Sequence, residues 1–297
     1  MVTDGKGNYN YPLYACKNRE SFACDEKRYH ILLIESGSGR ITYGGHKELF
    51  MAPLLFCFNE NEIPTIEEGK GIVSRSVYFN PEFVNNRLTF HNLNHPPEDF
   101  TLTDIREKHW FRSFFERTEN YCGRIGLNIT TVKRLSILFD KIIDQLETQP
   151  DYYWSCRSRS FLIETLMLID QSWVIEDKNN SLFTSGYSEE VEKIILYLYS
   201  NYTDKITLPD IVAEFNINRT TLANKFKEEV GDSIINSLIN LRINVASSLL
   251  RDTLIPISEV TYRVGFSDIS HFNRTFKKHT GFNPSDYRQT YNIILNT

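Results

Sequence analysis

The sequence predicts an α+β protein that begins as strands and ends as helices, and three observations carry that expectation. Before about residue 100 the apolar residues come in short runs separated by turn residues. Beyond it the apolar period changes from two to about 3.6. In the last third a single short pattern occurs twice, which predicts a duplicated helical unit. At 297 residues the chain exceeds the usual single-domain size, so two or three domains are expected.

The opening residues, Met1-Val2-Thr3-Asp4-Gly5-Lys6, lack the apolar core of a signal peptide. No apolar run approaches the ~18 residues needed to span a bilayer, so a soluble, cytoplasmic protein without membrane partners is expected. Cys16, Cys24, Cys57, Cys122 and Cys156 are scattered without a C-x-x-C pair, which speaks against a zinc site and a disulfide framework.

Tyr29 to Ile34 is a continuous apolar run, Gly37-Ser38-Gly39 reads as a turn, and Arg40 to Tyr43 reads as a second strand closed by Gly44-Gly45. Further strands are expected at Glu48 to Met51, Leu54 to Phe58 and Ile72 to Phe79, where Asn80-Pro81 ends the last. Short strands with turns between them suggest a sandwich or small barrel. Glu60, Glu62, Glu67 and Glu68 form an acidic run that reads as a solvated loop.

Such a barrel can be a metalloenzyme, but the chemistry requires clustered His and carboxylate ligands on facing strands. His30 and His46 stand alone on separate segments, and His91, His95 and His109 fall beyond the strands; surface or core-edge histidines are the better reading. No nucleophile with a recognisable base, Gly-rich phosphate loop or H-E-x-x-H is visible. No catalytic residue, metal or cofactor is therefore expected, and the protein is read as a non-enzyme.

Val132, Leu135, Leu138, Phe139, Ile142, Ile143 and Leu146 fall along one helical stripe, and Phe161, Leu162, Thr165, Leu166, Leu168 and Ile169 suggest a second helix. These helices should pack on each other and on the strands. Glu176 to Ser181 is polar and without apolar period, which predicts a linker.

The duplicated pattern reads Asn218 to Lys227, ending at Gly231, and again Asp268 to Lys277, ending at Gly281, so Leu222, Phe226, Lys227 and Gly231 recur as Phe272, Phe276, Lys277 and Gly281. Each copy comes after a short amphipathic stretch and a tight turn. In the first, Thr207-Leu208-Pro209-Asp210 is a capping-box-like start, and the helix through Ile211, Val212 and Phe215 stops at Asn216, which tolerates positive φ. In the second, a helix from Pro256 and Ile257 through Val260 and Val264 breaks at Gly265-Phe266, and Ser267 or Asp268 can cap the next helix. Both copies are therefore helix-turn-helix units.

Helical spacing puts Leu222, Phe226 and Val230 in the core of the first copy, leaving Thr220, Ala223, Asn224 and Lys227 outward. In the second, Phe272 and Phe276 are core, and Ser270, Asn273, Arg274 and Lys277 face out. Small polar residues followed by basic ones suit the reading of base edges and the gripping of phosphate. The net charge of -5 and pI near 5.9 disfavour indiscriminate nucleic-acid coating. Positive charge is local, at Arg263, Arg274, Lys277, Lys278 and Arg288, which favours binding at chosen sites.

At these residues the chain resembles a known family. From about Ile206 to Arg288 it is similar to the DNA-binding domain of AraC/XylS-type transcription regulators, above all in Ile257-Ser258-Glu259-Val260, Arg263 to Asp268, Ser270 to Lys278 and Gly281 to Arg288. Leu241-Arg242, Ala246 and Leu249-Leu250 are similar to the connecting helix. The first copy departs at Asn216, where glycine is common, at Val212, where alanine is common, and at Ile234, where the second copy has Pro284. The resemblance implies base or backbone contacts by Arg219, Thr220, Ala223 and Asn224, and by Ile269, Ser270, Asn273 and Arg274. The strand region is similar in spacing to the family's cupin-like effector domain.

The resulting expectation is a cupin-like effector-binding β-barrel at 1–100, a helical dimerisation segment at 101–175, a linker at 176–187, and an all-α DNA-binding domain with two helix-turn-helix motifs at 188–297. The partners implied are double-stranded DNA, a small-molecule effector whose binding residues are unknown, a second copy in a homodimer, and RNA polymerase. The alternative is a ligand-binding or catalytic cupin whose C-terminal helices form an interaction module.

Overall fold

The computed structural model describes residues 11–18, 27–117, 121–175 and 187–292. The expected linker at Glu176 to Ser181, the opening residues and Cys24 lie outside the described residues. The chain divides into two compact units, Met1–Ser181 and Leu182–Thr297.

The first unit is built on antiparallel strands β1 (Leu13–Lys17), β2 (Tyr29–Tyr43), β3 (His46–Met51), β4 (Leu54–Phe58), β5 (Thr65–Phe79) and β6 (Arg124–Gly126). Their order is β1-β5-β2-β4-β6, with β3 also on β2, and among the described residues the sheet is open rather than a closed barrel. Between β5 and β6 the chain forms the short helices α1 (Phe90–Asn94), α2 (Leu102–His109) and α3 (Arg112–Phe115). β6 lies beyond residue 100, so the sheet does not end at the expected boundary.

The turn expected at Gly37-Ser38-Gly39 is not a reversal. β2 runs straight through it, pairing with β4 over His30 to Ile34, with β3 over Ser38 to Tyr43, and with β5 throughout, with register shifts between Ile34 and Arg40. Gly37 has φ +96°, and a Cβ there would stand 2.6 Å from the Lys70 carbonyl oxygen. Glycine here lets two strands approach at a bulge. Turns and bulges both call on glycine for left-handed backbone, so the sequence alone does not distinguish them.

The acidic run also needs correction. Glu67 and Glu68 lie within β5, Glu68 pairs with the buried Arg40 at 3.2 Å, and Glu62 pairs with Arg117 at 2.7 Å. His30 is another correction: it is buried, stacked on Tyr78 at 4.1 Å between centroids, with Nε2 3.0 Å from Ser76 Oγ.

Alternation along β2 separates two apolar clusters. Tyr29, Ile31 and Leu33 share a core with α4 (Ile129–Thr148) and α5 (Trp154–Ile175), through Leu135, Phe139, Ile142, Leu162, Leu166 and Ile169. At ~1.5–3 kcal/mol for each fully buried large side chain, this shared core makes sheet and helices one folding unit. Arg75 on β5 adds a fork to α4, with Nε and Nη2 donating to the Asp140 carboxylate at 3.0 and 3.1 Å. On the other face Leu32, Ile34, Tyr43, Phe50, Phe56, Phe58 and Tyr78 pack together. Its rings are already in mutual contact, with Phe56 and Phe58 stacked at 5.5 Å and Tyr43 edge-on to Phe58 at 4.9 Å.

The second unit is helical: α6 (Glu189–Asn201), α7 (Leu208–Phe215), α8 (Arg219–Val230), α9 (Ile234–Asp252), α10 (Ile257–Arg263), α11 (Ile269–Thr280) and α12 (Pro284–Tyr291). Ile243, Ala246 and Leu250 of α9 pack with Val260, Val264, Phe266, Phe272 and Phe276, so the long helix is the spine of the second repeat. None of the described helices is long and apolar enough to cross a membrane.

Candidate nucleic-acid interface

The two copies of the pattern become α8 and α11, helices of the same length that begin and end alike. Asn218 caps α8, its Oδ1 accepting from the Thr220 N–H at 2.9 Å, and Asp268 caps α11, accepting from the His271 N–H at 2.6 Å. Both stop at glycines in the left-handed region, Gly231 at φ +83° and Gly281 at φ +81°, whose N–H groups donate back to Lys227 and Lys277 at 2.9 Å. The preceding helices are stopped by different residues: Asn216 takes φ 50° after α7, and Gly265 takes φ +85° after α10. At the start of α7 the Asp210 carboxylate accepts from the Thr207 N–H at 2.8 Å and from its hydroxyl at 2.6 Å, and these bonds hold the Asp210 carboxyl below its ordinary range.

Leu222 and Phe226 are buried in α8 and Phe272 and Phe276 in α11, as their spacing requires. Val230, expected with the first pair, is only half-buried at the helix end. Of the residues singled out from the sequence, Arg219, Thr220, Asn224 and Lys227 on α8 are exposed, as are Ser270, Arg274 and Lys277 on α11. Ala223, Ile269 and Asn273 are half-buried, and the Asn273 Oδ1 is enclosed. Each helix therefore presents an outward polar face along its length.

Two of the five local cations have other tasks. Arg288 donates to the Ile255 carbonyl at 2.6 Å, burial lowers its pKa, and it holds α12 to the loop before α10. Arg263 is paired with Glu259 one turn earlier. Arg274, Lys277 and Lys278 are exposed.

Arg242 on α9, in sequence only one residue of a connecting helix, joins the two repeats. Its Nε donates to the Tyr202 carbonyl at 2.8 Å and its Nη2 to the Asp204 carbonyl at 2.6 Å, in the loop that leads into α7. The same guanidinium lies 5.8 Å from the Phe266 ring, in the turn before α11. Burial lowers its pKa. Gly265 completes the junction, since a Cβ there would be 2.5 Å from the Tyr202 oxygen and 3.0 Å from Arg242 Nε. The sequence carries one signal of this role: a cation between Leu241 and Ile243, both buried, has to find partners. The all-α region expected from residue 188 opens with α6, in which Val191, Ile194, Ile195 and Leu198 recur at helical spacing.

Residues 211–290 match the family model described as a helix-turn-helix domain. The C-terminal unit is an AraC-type helix-turn-helix domain. Over 117 residues the chain is 32% identical to the uncharacterized HTH-type transcriptional regulator YdiP of Escherichia coli, covering 38% of this chain and 39% of YdiP. It is 27% identical over 172 residues to the lactose operon transcription activator of Staphylococcus xylosus, covering 57% of this chain and 59% of that one. Among solved structures, the C-terminal domain of AraT, a response regulator from Geobacillus stearothermophilus, aligns at 32% identity with a TM-score of 0.36, covering 37% of this chain and 91% of AraT's. The chain thus matches about two fifths to three fifths of the length of these two curated relatives. In this domain α8 and α11 are the second helices of the two helix-turn-helix motifs.

Proposed function

We propose that the protein is a sequence-specific DNA-binding transcription regulator of AraC type that acts without catalysis. The observation that carries this reading is the repeat itself: two equally capped helices, each with a buried aromatic or aliphatic pair inward and polar and basic side chains outward, joined through one arginine. A scaffold that fixes two such faces suits insertion into neighbouring turns of a major groove, about 34 Å apart. Arg219, Thr220, Ala223 and Asn224 form the first reading set and Ile269, Ser270, Asn273 and Arg274 the second, with Lys227 and Lys277 gripping phosphate. YdiP and the Staphylococcus xylosus activator are both named as regulators of transcription, which supports the same reading.

The N-terminal unit is proposed to sense a small molecule and to pair two chains, with RNA polymerase as a further partner of the DNA-bound form. Its effector residues are unassigned, because the apolar face of the sheet away from α4 and α5 is packed with the chain's own rings.

The test is a duplex selected from random sequence by the full chain. Arg274→Ala should weaken binding to that duplex by ~1–3 kcal/mol if the guanidinium makes a bidentate base contact. Unchanged affinity in a folded Arg274→Ala variant, measured at fixed salt, would remove Arg274 from the reading set.

A further inference from the structure

The two recognition helices share length, caps and apolar pair, so aligning Leu222 with Phe272 compares their charges position by position. Asn224 corresponds to Arg274, Glu228 to Lys278, and Glu229 to His279. Within its helical span α11 carries Arg274, Lys277 and Lys278 and no acidic residue, whereas α8 sets Glu228 and Glu229 against Arg219, Lys225 and Lys227. Lys225 is further engaged, its Nζ 2.8 Å from Glu190 Oε2 at the start of α6, a contact that raises the lysine pKa and lowers that of Glu190. Glu229 is engaged on the same neighbour, accepting the Ser188 backbone N–H at 2.7 Å.

Position along the helix adds to the asymmetry. The last turn of α11 is basic, the sign favoured by the helix dipole, and that of α8 ends in two adjacent glutamates, the opposed sign. A phosphate meeting the far end of α11 finds Lys277 and Lys278, while one meeting the same end of α8 finds Lys227 beside the exposed Glu228. Charges one helical turn apart, about 5.4 Å, lie within the Debye length of about 8 Å in physiological salt, so such differences survive screening.

We infer that the two motifs divide the work on DNA: α11 is the electrostatic anchor that supplies most of the phosphate grip, and α8 is a weakly attracted reader whose contribution is confined to chosen sequences. This rests on the proposed DNA-binding function and adds the distribution of affinity within it. Non-specific binding then belongs chiefly to the second motif, and the tie between α6 and α8 through Glu190 and Glu229 draws charge away from the first.

The experiment uses the full chain and a mixed-sequence DNA duplex, with binding measured by fluorescence anisotropy across a series of KCl concentrations. Each phosphate contact contributes about 0.9 to the slope of log affinity against log salt. The double variant Lys277→Gln/Lys278→Gln should lower that slope by nearly 2, and Arg219→Gln/Lys227→Gln by less than 1. The charge reversal Glu228→Lys should tighten binding to the same duplex several-fold, and Lys278→Glu should weaken it. Circular dichroism melts keep folding defects apart from binding defects in these exposed positions. Equal slope losses from the two double variants, or a larger loss from the α8 pair, would overturn the anchor assignment while leaving DNA binding intact. Failure of the unaltered chain to bind either this duplex or any selected one would overturn the functional reading as well.

Discussion

Gly265 is the position at which a single hydrogen atom decides the geometry of the helix-turn-helix unit. Its φ of +85° excludes most side chains, and a Cβ would also press on two backbone carbonyls, Tyr202 at 2.5 Å and Thr203 at 2.9 Å. Backbone atoms cannot turn aside as a flexible side chain can. The left-handed conformation and the overpacking together should cost about 2–4 kcal/mol in Gly265→Ala. Gly281 provides the control: its φ is +81°, but nothing lies within 4 Å of its would-be Cβ. Gly281→Ala should therefore lose only the conformational part, about 1–2 kcal/mol. Denaturant melts of the two variants check the difference, and equal losses would show that the approach to Tyr202 is not a constraint. Asn216 meets the same left-handed requirement at φ 50° by the other available route, a small polar side chain.

Among the elements, β3 carries the group through which pH should act on the N-terminal unit. Glu48 lies behind Tyr43, whose hydroxyl donates to Glu48 Oε1 at 3.0 Å, and Arg124 stands 4.0 Å away. Burial is the largest influence and raises the carboxyl pKa above its ordinary value, while Arg124 and the Tyr43 hydrogen bond oppose it. The folded protein therefore holds this proton more tightly than the unfolded chain does. Stability from this group is fully present below the unfolded pKa and is lost as pH rises through the folded value. Glu48→Gln keeps an acceptor for Tyr43 and removes the titration. Its stability relative to the parent should increase as pH rises from about 4 toward neutrality, a window that begins near the ordinary carboxylate pKa. Thermal melts at several pH values would show it, and a difference that stays flat or reverses would mean that Glu48 remains ionised without penalty.

At the scale of the whole molecule, the described helices from α6 to α12 bury their own apolar faces. Val191, Ile194, Ile211, Leu222, Phe226 and Leu238 are each at most 3% exposed, and Val260, Phe272 and Phe276 are fully enclosed in the second cluster. A segment with its own core should fold by itself. A fragment of residues 182–297 should therefore be monomeric or dimeric, helical by circular dichroism and cooperative on melting. A fragment that is molten or insoluble when expressed alone would show that the second unit depends on the first. The sheet and α4–α5, by contrast, share a core, so separating residues 1–100 from 101–175 should expose Tyr29, Ile31, Phe139 and Leu166 and yield no folded piece.

The amino-acid sequence by itself determined the helical repeat, because its information is local: cap residues, a stop at glycine or asparagine, and buried pairs spaced four apart are all contained within a dozen residues. It likewise revealed the outward faces of α8 and α11 and the strands from Tyr29 to Phe79, where alternation and turn residues are short-range signals. Tertiary structure alone decided what depended on residues far apart in the chain. The Gly37 to Gly39 segment became a bulge because β5 approaches it, Glu67 and Glu68 joined a strand because β2 pairs with them, and β6 entered the sheet beside β4. Arg242 acquired its role because the carbonyls of Tyr202 and Asp204 and the ring of Phe266 meet around it. Its buried sequence neighbours Leu241 and Ile243 place a cation at the margin of the core, and only the folded chain supplies the partners that its half-buried guanidinium needs.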